Sequence, residues 1–392
     1  MRRLRGEVGN MDKRVGLLRT APDRMRIFAR GHLDTTFLVL TLTLVAFGLV
    51  ILFSASYATS YYESGRSTFY IFRQALFAAM GIVIMFIVSK FNYQFFRALA
   101  FPSLALSIVL LILVLIIGVE RNGAKRWIDL GITEFEPSEI AKLAVILSFA
   151  AMISMFRDRM KTFRYGLLPF LVILAVISLL LSRQPHYSGA IIIVVLGAVM
   201  LFMGGVHWGW FVCGFGVLGA AGYFAATKMD YIMERVAVWR DPWLDALDTG
   251  WQTIQSLYAL GTGGLLGLGL GNSRQKFFYL PEESNDYIFS IACEELGFVG
   301  GFVILLLFAL LVIRGFWLAL HAKDRFGSLI AAGISTLLAL QVFLNIAVCT
   351  NLIPVTGISL PFFSYGGTAL ILQLTEMGII LSVSRQNREQ TE

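Results

Sequence analysis

The chain has 392 residues, 57% of them hydrophobic and only 15% charged, with a mean hydropathy of +0.75. No water-soluble domain of this length has that composition, so the chain is a polytopic membrane protein. Its net charge of +7 is split among short segments, which argues against a nucleic-acid surface. Three cysteines without close neighbours and four scattered histidines argue against a disulfide framework and a zinc site.

Residues 1–34 form a basic tail carrying Arg2, Arg3, Arg5, Lys13, Arg14, Arg19, Arg24, Arg26 and Arg30. The tail is not a cleavable signal, because the first apolar run begins only at Thr35 and is long enough to span. Apolar runs of span length follow near 35–54, 69–88, 98–118, 138–156, 165–182, 188–204, 207–226, 287–313, 327–350 and 365–384. The predicted fold is therefore all-α and polytopic, with about ten transmembrane helices in residues 35–384 and a short C-terminal tail, 385–392. With ten spans, twenty Lys and Arg residues fall on the side of the N-terminal tail and ten on the other. The positive-inside rule then puts both termini in the cytoplasm and the long loop 228–286, between the seventh and eighth spans, outside.

The polar features gather on that outer side. The loop after the third span contains Lys125, Arg126 and Trp127. Glu139 and Lys142, three residues apart just after Pro137 and Ser138, share a helix face at the start of the fourth span. They read either as a structural ion pair or as the lining of a polar cavity. The 228–286 loop holds Trp239, Trp243 and Trp251, and the spacing of Ile232, Val236, Trp239 and Trp243 predicts an amphipathic helix in the headgroup layer. Its stretch Gly261–Gly271 matches no nucleotide-binding pattern and reads as close backbone packing or as a mobile flap. At its end, Pro281-Glu-Glu-Ser-Asn-Asp286 sets acids directly before an apolar run. A carboxylate at the water–lipid boundary is partly desolvated, which raises its pKa and makes it a usable base; the plainer reading is that acids mark the end of a span. Glu294 and Glu295 follow inside the eighth span, where adjacent acids cannot both face lipid. Pro354–Thr368, with two prolines and three glycines, predicts irregular backbone at membrane depth, tolerated only where it is buried or lines a cavity.

Five segments in order, Asn122–Gly131 (NGAKRWIDLG), Glu136–Leu143 (EPSEIAKL), Tyr279–Phe289 (YLPEESNDYIF), Glu294–Gly297 (EELG) and Leu352–Gly357 through Phe363–Gly367, resemble the SEDS proteins (shape, elongation, division and sporulation). The resemblance covers nearly the whole chain. It implies a peptidoglycan glycosyltransferase that polymerises lipid II at the outer face of the bacterial cytoplasmic membrane, paired with a class B penicillin-binding protein transpeptidase within a division or elongation complex. The acid of the family's P-E-x-x-x-D-[FY]-I-F motif falls on Asp286, the Trp of its R-W-I segment on Trp127, and the Glu and Lys of S-E-x-x-K on Glu139 and Lys142. The long basic tail and the Asn-Asp-Tyr variant point to the division and sporulation branch.

The chemistry read from the residues agrees. An acceptor hydroxyl attacking a diphosphate-linked anomeric carbon needs one base, and Asp286 alone suffices for inversion because diphosphate leaves readily. Cations must steady the leaving group. The candidate substrate contacts are Lys125, Arg126, Trp127, Glu139, Lys142, Arg235, Arg240, Gln255, Ser256, Lys276, Glu295, Ser364 and Tyr365, with Arg274 as a further outward cation. A divalent cation is compatible with this chemistry, but no ligand cluster calls for one. His186 stands where many family members have an acid, and it would place a pH-sensitive side chain near the site. A lipid II transporter using Glu139, Lys142, Glu294 and Glu376, or a scaffold without enzymatic activity, would share the composition.

Overall fold

The computed structural model describes residues 28–386 except 30, 122, 123, 130, 132 and 229, and it leaves some side chains between 215 and 235 undescribed, that of Arg235 among them. Almost all of the tail predicted at 1–34, and residues 387–392, lie outside the described residues.

The elements in chain order are α1 (Thr35–Ser64), α2 (Phe69–Lys90), α3 (Gln94–Ile117), β1 (Val119–Arg121), β2 (Ala124–Asp129), β3 (Glu134–Phe135), α4 (Pro137–Phe156), α5 (Leu168–Arg183), α6 (Tyr187–Met203), α7 (Gly209–Lys228), α8 (Asp230–Arg240), α9 (Trp251–Gly263), α10 (Ile288–Leu320), α11 (Arg325–Cys349) and α12 (Gly367–Ser384). Among the described residues, eight helices are long and apolar enough to cross a membrane: α1, α2, α3, α4 and α5 with their adjoining turns, α10, α11 and α12. A helix stands at each of the other two predicted spans. The first, α6, is apolar but only 17 residues long, and α7 has 20 residues. At 1.5 Å per residue, 17 residues reach about 26 Å, short of the ~30 Å hydrocarbon core.

Helices α4, α11 and α12 form the middle of the bundle, buried along 72–78% of their most apolar stretches, while α2, α3, α5 and α10 are buried along 28% and present the rest outward. This is the inverse of a soluble domain: apolar side chains such as Phe72, Val109 and Ile313 are exposed because lipid is their solvent.

Helix α1 runs ten residues past its predicted end at 54. Ser56 and Ser64 return their hydroxyls to the carbonyls of Leu52 and Ser60, 2.7 and 2.6 Å away, so a polar sequence stays helical without offering unpaired groups. Asp34 caps its N-terminus through the amide of Phe37 at 2.7 Å and pairs with Arg314 of α10 at 2.5 Å. That pair explains why α10 continues through Arg314 to Leu320. The loop after α3, expected to be irregular, is a small antiparallel sheet in the order β1-β2-β3, with Glu120 opposite Lys125 and Ile128 opposite Phe135. A helix, α8, stands at the segment predicted to be amphipathic but ends at Arg240, with Trp243 in the turn that follows. It is tied to the chain after α11 by Trp239 Nε1 donating to Asn351 O (3.1 Å) and Asn351 Nδ2 donating to Trp239 O (3.2 Å).

The glycine-rich stretch takes the close-packing alternative. Its backbone lies on a break in α10 at Gly297 (φ +69°), and the amides of Leu268 and Gly269 donate to the carbonyls of Glu294 and Glu295, each at 3.0 Å. A Cβ on Gly297 or Gly267 would run into the backbone of the other segment, so both positions require glycine. The cysteines are free; Cys293 and Cys349 are buried and Cys213 is exposed on α7.

Candidate active site

One end of the bundle gathers the sheet, the start of α4, the α5–α6 turn, the loop before α10 and the irregular 351–366 segment. Asp286 is the penultimate residue before α10 and is half-buried. Its main chain is fixed from two sides. Asn345 of α11 donates through Nδ2 to Asp286 O (2.7 Å) and to Ile358 O (2.8 Å), and so bridges the acid's loop to the irregular segment. Ser364 Oγ donates to Asn285 O (2.6 Å) and accepts from the amide of Leu360 (2.8 Å), while the Tyr365 amide donates to Ser284 O (2.9 Å). Gln74 of α2 holds the far end, donating to Ser364 O and accepting from the Gly366 amide. The irregular segment therefore clamps the Asp286 loop, and its own buried polar groups are satisfied in doing so.

The side chain of Asp286 faces Arg126. Gly357 adopts φ +67°, and a Cβ there would lie 3.4 Å from Asp286 Oδ2 and 3.9 Å from Arg126 Nη1. Carboxylate and guanidinium thus converge on one stretch of bare backbone. The Asp286 pKa is raised to about 7, chiefly by desolvation; Glu282 and Glu136 add to the rise and Arg126 opposes it. Arg126 extends from β2 over the Trp127 ring, 5.7 Å from its centroid, and donates through Nη2 to Pro185 O at 3.3 Å. Its Nε is buried with no protein partner.

Beside this pair lies a polar chamber of about 30 Å³, lined by Glu136, Glu139, Lys142, His186, Gln341 and Ser359 together with Gly357. That volume holds a water molecule or two and no sugar. Glu139 and Lys142 are both the ion pair and the lining that the sequence offered as alternatives: Lys142 Nζ is 2.6 Å from Glu139 Oε1, and both side chains are largely buried. Glu376 of α12 is buried within electrostatic range of both. The pH-sensitive role expected of His186 is corrected. Burial, together with Arg126 and Lys142, pushes its pKa down to about 3, so the ring is neutral at physiological pH.

Other candidates are placed apart from Asp286. Lys276 and Glu295 pair with each other at 2.9 Å, buried, with Lys276 Nζ also donating to Ser54 Oγ (3.1 Å) and Gly271 O (2.6 Å), and Ser54 donating to the same Glu295 oxygen. Glu294 accepts from the Ser273 hydroxyl and from the amides of Arg274 (3.1 Å) and Gln275 (3.3 Å), so it organises the loop before α10. Ser256 is buried and occupied, sharing a hydrogen bond with Ser290 and donating to Cys349 O at 2.8 Å. Gln255 is buried on the same helix, α9. Lys125 and Arg240 are exposed, and the side chain of Arg235 lies outside the described residues. The Tyr365 ring packs edge-on against Tyr70 at 4.5 Å, on the α2 side of the clamp.

The sequence reading missed Asn345, Gly357, Glu136, Gln341 and Ser359. Asn345 and Gln341 carried a signal, since an amide inside an apolar span must face a polar partner. Gly357 had no local signal, because its importance lies in what approaches it. Among the described residues no group of three or more His, Cys, Asp or Glu side chains is placed to hold a metal ion.

Comparison with known proteins agrees over almost the full length. The model of the FtsW, RodA and SpoVE family, described as cell cycle proteins, matches residues 34–389. The chain is 43% identical over 358 residues to stage V sporulation protein E of Bacillus subtilis, covering 91% of this chain and 98% of that protein. It is 39% identical over 354 residues to the probable peptidoglycan glycosyltransferase FtsW of Geobacter sulfurreducens, covering 90% and 95%. Among solved structures it resembles a chain from work on the coordination of polymerization and crosslinking by a peptidoglycan synthase complex, with a TM-score of 0.76 and 30% identity over 90% of this chain and 98% of that one. It also resembles the rod shape determining protein RodA of Thermus thermophilus, with a TM-score of 0.67 and 28% identity over 91% and 98%. With the segment order, the helical fold and these full-length matches in agreement, the chain belongs to the FtsW, RodA and SpoVE family of cell cycle proteins.

Proposed function

We propose that this chain is a peptidoglycan glycosyltransferase that joins lipid II disaccharides into glycan strands at the outer face of the cytoplasmic membrane. The convergence of Asp286 and Arg126 on Gly357 carries the reading. The acceptor hydroxyl gives its proton to the Asp286 carboxylate as its oxygen bonds to the donor's anomeric carbon. The bond to the diphosphate breaks on the opposite face, so configuration inverts and undecaprenyl diphosphate leaves. A base with a pKa near 7 is ionised enough to accept the proton and basic enough to drive the transfer. Arg126, half-buried with free donor capacity, is placed to steady the departing diphosphate, and Trp127 holds its guanidinium plane. Lys142 is committed to Glu139 and serves the field of the site from behind.

Both termini are cytoplasmic in this reading, which follows from the distribution of Lys and Arg. The partner is a class B penicillin-binding protein that cross-links the strands, in keeping with the likeness to a synthase-complex chain. The test is polymer formation from purified lipid II in detergent, with and without that partner. Wild type makes glycan and Asp286→Asn loses about 10²–10⁴ in rate, the usual contribution of a general base, while still inserting and folding. Polymer at the wild-type rate from Asp286→Asn would remove Asp286 as the base.

A further inference from the structure

The turn joining α5 to α6 is tethered through each of its three residues. Gln184 Nε2 donates to Leu111 O of α3 at 2.8 Å, Pro185 O accepts from Arg126 Nη2 at 3.3 Å, and His186 Nε2 lies 3.2 Å from Glu136 Oε1. The same Glu136 oxygen accepts from Ser138 Oγ at 2.7 Å. The Cδ2–Nε2 edge of the His186 ring lies against Gly189, where any Cβ would collide with it, so the start of α6 leaves room for the imidazole. His186 is 7% exposed, and its Nε2 stands within contact distance of the Glu136 carboxylate. Its Nδ1 is buried without a protein partner. Glu136 and His186 both line the chamber together with Gly357, the residue that Asp286 and Arg126 also approach.

We propose that His186 and Glu136 work as one positioning pair: the imidazole fixes a single carboxylate on the wall of the Arg126–Asp286 site, and that one negative charge sets the aim of Arg126 and the field at Asp286. The proposal deepens the glycosyltransferase reading and rests on Asp286 being its base. The turn that receives the Arg126 guanidinium on Pro185 O carries the His186–Glu136 contact one residue on. The charges facing Asp286 are Glu282 from its own loop, Arg126 from β2 and Glu136 from the start of α4, with Lys142 and Glu139 behind them and His186 neutral. Two carboxylates about 3 Å apart cannot both ionise without a large penalty, so the pair tolerates one acid and not two.

The experiment measures initial rates of lipid II polymerisation against pH, using the full chain with its transpeptidase partner and the variants Glu136→Gln, His186→Asp, the double variant and His186→Gln. His186→Asp lowers the rate by about tenfold or more, since it sets a second carboxylate against Glu136. Adding Glu136→Gln recovers most of that loss, because the single charge is restored on the other partner. His186→Gln, which keeps an N–H donor of similar reach, retains more activity than His186→Asp. Glu136→Gln alone moves the acidic limb of the rate profile to lower pH by about half a unit or more, because a neighbouring negative charge has been removed from Asp286. A pair that only braces the fold would lower the whole profile without moving the limb. A double variant no faster than His186→Asp, or an unmoved limb in Glu136→Gln, overturns the proposal. Wild-type polymerisation by Asp286→Asn in the same assay would instead overturn the base assignment beneath it.

Discussion

Lys276 and Glu295 decide whether the loop before α10 is a substrate surface or a structural strut. Lys276 Nζ has three oxygen neighbours, Glu295 Oε1, Ser54 Oγ and Gly271 O, at 2.9, 3.1 and 2.6 Å, and its side chain is 3% exposed. Glu295 is fully enclosed, with Oε1 already receiving Lys276, Ser54 and the Ser273 amide. An ammonium with that coordination has little capacity left for a diphosphate. Lys276→Met keeps the length of the stem and leaves Glu295 charged and buried without its counter-ion, which costs about 3–5 kcal/mol. That loss reads out as a lower melting temperature. Lys276→Met combined with Glu295→Gln removes the stranded charge and recovers most of the loss, so the two changes are strongly non-additive. The assay is thermal unfolding of the detergent-purified variants alongside lipid II polymerisation. If Lys276→Met melts like wild type yet loses polymerisation through a raised KM, the ion pair is a substrate contact and the reasoning fails.

Three further outcomes follow from the geometry of the site. Asp286→Asn is more stable than wild type at pH 8 and equal to it near pH 4: the folded-state pKa of about 7 exceeds the unfolded value of 3.8, so wild type loses stability as pH rises through that interval and the amide does not. Thermal unfolding at the two pH values checks this, and equal stabilities at pH 8 would contradict the burial argument. Gly357→Ala puts a side chain into left-handed backbone, at a cost of about 1–2 kcal/mol, and sets a methyl against Asp286 and Arg126; polymerisation falls by about 10²-fold, more than the stability change explains. Asn345→Leu removes one donor that serves two carbonyls, Asp286 O and Ile358 O, so melting drops by the equivalent of about 1–3 kcal/mol and kcat falls with little change in KM.

Much of the fold was legible because lipid makes hydropathy decisive. Every apolar run of span length became a helix within a few residues of its predicted limits, except where polar residues continued one. The extension of α1 to Ser64 was hidden by serines that satisfy themselves on preceding carbonyls, and that of α10 by Arg314, whose charge is met by Asp34, 280 residues earlier in the chain. Hydropathy counts such residues as breaks, whereas the folded chain counts them as paired. The small sheet after α3 was missed because three strands of two to six residues carry too little alternation to read. The glycine-rich stretch showed that something must come close, but the break in α10 that it packs against could not be found in either segment alone.

The site divides along the same line. Residues marked by chemical oddity in their own segment, Asp286 after a run of acids and Glu139 with Lys142 in a span, were singled out from sequence, and the irregular backbone expected at 354–368 is present up to Gly366. What sequence could not supply was the sorting of cations, which depends on what each one already touches. Lys142 and Lys276 look like phosphate ligands by charge and spend that charge on Glu139 and Glu295. Arg126 has a single weak bond to Pro185 O, a Trp127 ring beneath it and a buried Nε with no protein partner, and it shares with Asp286 the bare backbone of Gly357. A transition state that gains charge on a leaving diphosphate is served by donors that are held in place and not yet spent. By that criterion Arg126 is set apart from the other candidate cations. Replacing Arg126 with Lys, which keeps the charge and loses the planar fork and the stacking, therefore costs more activity than neutralising the exposed Lys125 beside it.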